Sequence, residues 1–548
     1  MTAVTKRLTG LLIALVLGLA LPAALVAQGS PVTFSAFFAD PNANWANMED
    51  EVGKYITQKT GVTIKCEFPI GTADDKINMI VASGQYPDLI SPKGAAGVLI
   101  DNDAVLDLDP LIRKNAPNIM KVIGDQFDRM RFNTKKPGVY FLPNNDTIGQ
   151  VNFDTDSWFK LQLAALKEQK YPLVKTLADY EKVIATYVKA HPTIDGQPTI
   201  GLSLLAEDWR FVISVTNPAF WATGYSDDGE WAIDPKTFAA KPHVMRTEER
   251  EYFRWLNSVN AKGLLDPESF VQKYDQYKAK IASGRVVGVI DADWEIQDAV
   301  NSLKAAGMYE RTYGRFGAVL KSGIKAAYNV PTGFRGGYGI GITTSCKDPE
   351  RALKFLDWLA SEEGQILIAW GIKDKHYTVD KGKRSFIPSY LDMKNNDLAT
   401  FQRTTGIGNY NMGIRYGDGV KDSTGNYFTS KNPELILSGY SEEDKAALKA
   451  YKVTYWNDLL PQPKEFKAIP WGAAWSIPTP QDSPLNEFWN VEQDITRKYI
   501  PMAILGKPAD FNKTYDQMLA ELTKSTGKYM ALESELVQDR MKLWKILK

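Results

Sequence analysis

Residues 31–91 alternate short apolar runs with amphipathic ones, and this alternation narrows the fold more than any other feature of the 548-residue chain. Pro31–Asp40 (PVTFSAFFAD) is β-rich and aromatic and reads as a strand. Trp45–Lys59 follows with Met48, Val52, Tyr55 and Ile56 at helical spacing, and Gly61 stops it. GVTIKCEFPI reads as a second strand through Val62, Ile64, Cys66 and Phe68. Asp74–Ser83 reads as a helix ending at Gly84, and PDLIS (Pro87–Ser91) as a short buried strand. A β-α-β-α-β order implies a parallel sheet with helices on its faces, and such sheets bind ligands beyond the carboxyl ends of their strands. Here those ends are Asp40–Trp45 and Ser91–Lys93, so Asn44, Trp45, Ser91 and Lys93 are candidate ligand contacts.

The middle of the chain is richer in helix. Helical periodicity is expected over 154–170, 177–190, 247–261 and 274–283. VVGVIDADW (Val286–Trp294) reads as a strand running out into polar residues and a tryptophan, and Gly336–Ser345 as another. Asp348 is a natural N-cap with Pro349 at the first helical position, Leu353, Leu356 and Ala360 form the apolar stripe, and Gly371 is a plausible stop. From 392 to 483 the pattern loosens, although Ser441 with Asp444 makes a capping box for a helix through Tyr455. Helices over 486–499 and 512–547 close the chain, and there is no internal repeat.

Several function classes fall away. Lys plus Arg and Asp plus Glu each number 65, which removes the basic excess a nucleic-acid partner requires. The three histidines, His191, His243 and His376, share no motif, so neither metal nor cofactor is expected. Cys66 and Cys346 allow at most one disulfide; pairing and two buried thiols both remain open. No nucleophile elbow, HExxH, CxxC or phosphate-binding glycine loop occurs. Carboxylates able to flank a glycosidic bond are plentiful, but no spacing selects a pair. At the start, Lys6 and Arg7 precede the apolar run Leu8–Leu21, Pro22 and small residues to Ala27, the layout of a secretory signal peptide over 1–27. No cysteine stands at the cut, so a lipid anchor there is not expected and the periplasm is the expected location.

Three segments carry a family resemblance. DDKINMIVASGQYPDLISP (Asp74–Pro92), GITTSCKDPERALKFLDWLASEEGQILIAWGIKDKHYTV (Gly341–Val379) and the ending Lys498–Lys542 occur in the order seen in bacterial extracellular solute-binding proteins of family 1. Those proteins are the capture subunits of carbohydrate ABC importers, and the length is similar to the large alginate- and oligosaccharide-binding subgroup. The resemblance implies an α/β, two-lobed periplasmic-binding-protein fold, each lobe a mostly parallel sheet flanked by helices, with hinge crossovers and a helical C-terminal region. The expected lobes are 28–148 with roughly 296–385, and 149–295 with roughly 386–548. It implies capture of a carbohydrate, most simply an oligosaccharide, by a monomer that delivers it to membrane permease subunits. An exported polysaccharide-active enzyme and a binding protein for a non-sugar such as a peptide are the alternatives. Many large members carry an acidic calcium loop near 190–201; here AHPTIDGQPTIG offers only Asp195, so no calcium is expected.

A pyranose has an apolar face and a polar rim, so aromatic rings beside polar groups are the residues to seek. The family places an aromatic stacker at the position of Trp294, with Asp291 and Asp293 beside it as hydroxyl acceptors or helix caps. Asn144, Asn145 and Asp146 fall near the first crossover, and Trp209 with Arg210 in the second lobe could stack and bond a sugar. Arg335 precedes two glycines where the chain returns to the first lobe. Trp471 and Trp475 in PWGAAWSIP suit either a cleft-lining loop or the core. Tyr410, Asn411 and Tyr416 are candidates for a lid.

Overall fold

The computed structural model describes residues 30–548; the expected signal segment, 1–27, lies outside the described residues. β1 (Val32–Phe38) buries Phe34 and Ala36 in one apolar cluster and Phe37 in another, as a strand covered on both faces must. α1 (Glu51–Thr60) starts at Asp50, whose carboxylate accepts the Gly53 amide at 2.7 Å, and leads into β2 (Val62–Glu67). α2 (Ala73–Ser83), capped by Thr72, returns to β3 (Leu89–Ser91). β1 pairs in parallel with both β2 and β3. β4 (Leu142–Pro143) ends this first pass.

The chain then builds a second sheet. Its elements are β5 (Phe159–Gln162), α3 (Leu177–Ala190), β6 (Ile200–Ser203), α4 (Thr247–Ala261), β7 (Val286–Ile290), α5 (Asp293–Ala305) and β8 (Tyr313–Phe316). Strand order is β8-β5-β7-β6, with β6 and β7 parallel and the other pairs antiparallel. β9 (Gly339–Ile342) re-enters the first sheet antiparallel, giving β2-β1-β3-β9-β4, so both sheets are mixed. Asp348 then caps α6 (Pro349–Ala360), accepting the Arg351 amide at 3.0 Å, and α7 (Glu362–Trp370) follows. α8 (Phe488–Leu505) and the 33-residue α9 (Phe511–Leu543) pack against the second lobe through Ile495, Ile500, Tyr515, Met518 and Leu522.

Three expectations change. The helix expected over 154–170 is a strand for Phe159–Gln162, followed by a short helix from Leu163. All four strand residues are buried between β7 and β8, so no period-2 alternation marks them. Residues 296–316, expected in the first lobe, complete the second lobe as α5 and β8; the chain returns only over 317–338. Conversely Phe386, Phe401, Ile407, Met412 and Ile414, expected in the second lobe, fill the core of the first. The lobes are therefore joined by crossings at 144–158, 317–338 and 415–439.

α9 adds a further tie. Its Arg540, buried, donates to the carbonyls of Trp471 (3.2 Å) and Ala473 (3.0 Å), to the Ser476 hydroxyl (2.8 Å) and to the carbonyl of Arg335 on the second crossing. Thr134 of the first lobe donates to Asp539, Lys545 reaches Asp128 at 2.5 Å, and Arg129 lies over the Trp544 ring at 4.3 Å. The second crossing bends at Gly336, with φ of 70°, where a Cβ would stand 2.3 Å from the Arg129 carbonyl oxygen. Gly336→Ala should therefore cost about 1–3 kcal/mol, read as a lower midpoint of urea unfolding. Gly527→Ala, inside α9 with open space at its Cβ, should instead gain about 0.5–1 kcal/mol.

Candidate functional site

Parallel pairing of β6 and β7, with Gly288 opposite Leu202 and Val289 opposite Ser203, brings their carboxyl ends out side by side. The chain after Ser203 reaches Trp209, and the chain after Ile290 reaches Trp294 in the first turn of α5. The two indoles stack, with centroids 5.8 Å apart and planes 20° from parallel, yet remain 44% and 54% exposed. Arg210 braces the pair from within. It bonds Asp208 at 2.8 Å and Glu295 at 3.1 Å and lies 4.6 Å over Trp209 and 4.2 Å over Tyr274. Its donors are thus engaged inside the lobe, and it positions Trp209.

The acids beside Trp294 face inward. Asp291 is fully buried, accepts the Tyr277 hydroxyl at 2.9 Å, and is pushed up to about 7 by burial and by the nearby Glu295 charge. Asp293, expected to meet ligand, pairs with Lys160 at 3.3 Å and Arg315 at 3.2 Å, because Lys160 is buried in β5 and needs counter-charge.

On the first lobe the parallel β1 and β3 likewise emerge together. The Ala39 amide donates to the Ser91 carbonyl at 2.9 Å, and Lys93 forms an ion pair with Asp40. Trp45 is half-buried between Phe38 and Tyr410, and the Asn44 amide donates to Gln402 at 3.0 Å, so both are held by their own lobe. At the crossings, Asp146 accepts the Arg335 amide at 2.7 Å and faces its guanidinium at 3.3 Å. Arg335 lies 5.0 Å over Trp475, whose ring is 6.0 Å from that of Tyr338. Asn145 and Arg335 line a cleft of about 1550 Å³ together with Asn411 and Tyr416. Lys93, Tyr338 and Trp475 line a recess of about 980 Å³.

Two candidates leave the surface. Trp471 is 3% exposed, in a cluster with Trp231, Phe488 and Tyr529, and its indole N–H donates to Asp228 at 3.1 Å; it is core. Tyr410 is fully buried with its hydroxyl on Asp50 at 2.5 Å, and so is no lid. Cys66 and Cys346 are free thiols, pushed up to about 12 and about 11 chiefly by burial. The segment Thr193–Pro198 is a tight hairpin turning at Asp195 and Gly196, and a single carboxylate there does not fit a hard cation that needs six or more oxygens.

Sequence reading missed Tyr338, the aromatic inside GGYG on the second crossing; a ring flanked by glycines at a lobe junction was the available signal. It also missed a buried acidic group behind Trp475. Asp228 is pushed up to about 7, Glu492 to about 7 and Glu533 to about 8, in each case first by burial. Glu230 is raised well above the usual range by burial and by the charge of Glu492. A carboxyl raised by folding stabilises the fold fully below its unfolded value, and that stability is lost as pH rises through the folded value. The melting midpoint should accordingly fall as pH climbs from about 4 to about 8 and level off above that, and Glu492→Gln with Glu533→Gln should flatten the decline in a pH series of thermal melts.

Comparison with known proteins identifies relatives of the sequence and of the fold. The sequence is similar to the fructooligosaccharide ABC transporter substrate-binding protein FusA of Streptococcus pneumoniae, 24% identical over 256 residues. That alignment spans 44% of this chain and 45% of FusA, less than half of either. The fold is similar to S. pneumoniae FusA in complex with kestose (TM-score 0.63, 16% identity, 92% of this chain and 99% of that one). It is also similar to a solute-binding protein of Bifidobacterium longum infantis described as binding HMO and associated with an ABC transporter (TM-score 0.67, 14% identity, 94% and 99%). The alginate-binding protein AlgQ2 is a third (TM-score 0.60, 16% identity, 96% and 100%). The sequence pattern of one family matches residues 51–373, more than half of the chain, and the protein therefore belongs to that family, the bacterial extracellular solute-binding proteins.

Proposed function

We propose that the protein captures an oligosaccharide between its two lobes, without chemical change, and hands it to the permease subunits of an ABC importer. The observation that carries this reading is the exposed Trp209–Trp294 stack at the carboxyl edge of β6 and β7. Soluble proteins seldom leave two large rings open to water without a ligand to cover them. Flat apolar rings match the faces of pyranose units, and burial of such rings supplies most of the energy in an interface of this kind. The polar rim of the sugar would meet Asn145 and Arg335 on the crossings and Asn44, Ser91 and Lys93 on the first-lobe edge, with Trp45 and Trp475 as further rings. Hinged closure about the crossings brings these surfaces together.

The relatives support a saccharide ligand: FusA is described with kestose, and AlgQ2 as alginate-binding. The reading includes a monomer working in the periplasm, supported by the signal-like segment over 1–27 and by the family's extracellular role. Trp294→Ala and Trp209→Ala should each weaken binding by more than about 1 kcal/mol, measured by calorimetry against the best ligand of a thermal-shift panel of neutral and acidic oligosaccharides. Unchanged affinity in both variants would remove the stack from the site. Recovery of the sugar intact separates capture from hydrolysis; cleaved sugar would establish an enzyme instead.

A further inference from the structure

Two lysines of the large cleft form no ion pair among the described residues. Lys394 comes from the helix Pro388–Asn396 of the first lobe, and Lys431 from the third crossing, just before Asn432 caps the next helix. Both side chains line the 1550 Å³ cleft, and both also line the adjoining recess of about 960 Å³ beside α5, so they form the wall common to the two spaces. Other cations nearby are engaged: Lys383 with Glu434 at 2.6 Å, Arg384 with Asp422 at 2.6 Å, Arg335 with Asp146 at 3.3 Å, and Arg415 with the Asn144 carbonyl at 2.6 Å. Lys394 and Lys431 form no ion pair among the described residues. Burial holds the Lys394 ammonium below its ordinary range, and the charge of Lys431 lowers it further. A half-buried amine thus faces an exposed one, an arrangement that an anion relieves.

The acids that share these walls do not supply that anion. Asp146 is engaged by Arg335, and Asp418 accepts from Gln150 at 2.9 Å. Asp154 and Asp293 are held by Arg315, and Asp444 caps its own helix. A neutral donor stands ready on the cleft side of the lysine wall. The Thr429 hydroxyl is buried with no hydrogen-bond partner among the described residues, so it carries the cost of desolvation.

We propose that Lys394 and Lys431 form a subsite for an anionic group of the captured saccharide, a uronate carboxylate or a sulfate ester, so that the ligand is an acidic oligosaccharide. This rests on the capture reading above. One lysine belongs to the first lobe and the other to a crossing, so an anion between them bonds to both and favours the closed arrangement. Without it, their mutual repulsion favours the open one. Neutral analogues leave that repulsion in place, which is discrimination by an unrelieved charge.

The test is calorimetry on the full mature chain with matched pairs at low salt. One pair is an oligogalacturonide and its methyl ester; the other is a sulfated galacto-oligosaccharide and its desulfated form. The acidic member of one pair should bind at least about 10-fold tighter, the factor that a single charge-assisted hydrogen bond supplies. Whichever pair shows this names the source of the charge. The preference should vanish in a K394Q/K431Q double variant and persist in K394R/K431R, with thermal melts confirming that both are folded. Equal binding of acidic and neutral members, or a preference that survives K394Q/K431Q, overturns the subsite and leaves saccharide capture intact. Failure of the wild type to bind any saccharide, charged or neutral, overturns both. As an independent probe, inorganic sulfate alone should raise the melting midpoint of the wild type more than that of K394Q/K431Q; an equal rise counts against the subsite.

Discussion

A buried guanidinium sets the geometry of the lobe junction. Arg540 sits in the last helix, away from water, and a charge in that place is tolerable only if every donor is bonded and acids stand near. Its bonds reach Trp471, Ala473 and Ser476 on the proline-rich loop and Arg335 on the second crossing; burial and the charges of Arg129 and Arg335 lower its guanidinium to about 9, and the nearby Asp228 and Glu533 act against that lowering. Those bonds fix where Trp475 lies, and Trp475 in turn underlies Arg335. The recess beside Trp475 therefore depends on a residue of the last helix.

The candidate contacts on the two lobes arise from one rule applied twice. Parallel neighbours emerge on the same side of a sheet, so β1 with β3 present Asn44, Trp45, Ser91 and Lys93, and β6 with β7 present Trp209 and Trp294. Between these edges the crossings contribute Asn145 and Arg335. Arg210 and Asp293 are held by partners within the second lobe, whereas Asn145 stays exposed.

Much of this could be read from the sequence where local physics decides. The first three strands and their helices follow from periodicity and stop signals, and the Asp348–Pro349 cap follows from side-chain chemistry. Trp209 and Trp294 could be named separately, but their stacking could not, because it depends on the pairing of strands far apart in the chain. Long-range packing also explains the errors. β5 carries four consecutive buried residues, including Lys160, and nothing local separates that from a helix. Trp471 and Trp475 have the same prolines around them, yet one finds a carboxylate in the core and the other a guanidinium in the cleft. The lobe limits differ because β8 finds its partner in β5, far back in the chain, and no local signal reveals that pairing.

The interleaving of the two lobes has a kinetic consequence. β4 gains its sheet partner only when β9 has been made, and the second core closes only with Phe511, Tyr515, Met518 and Leu522 near the end of the chain. A nascent chain therefore cannot bury either core domain by domain as it leaves the ribosome. Contacts between such distant residues slow folding, because loop closure must precede the contacts that reward it. The same delay leaves apolar strands uncovered during synthesis, which makes the unfinished chain a client for chaperones. It also keeps the chain threadable until translation is nearly over, a state that a narrow translocation channel can accept and a finished lobe could not enter.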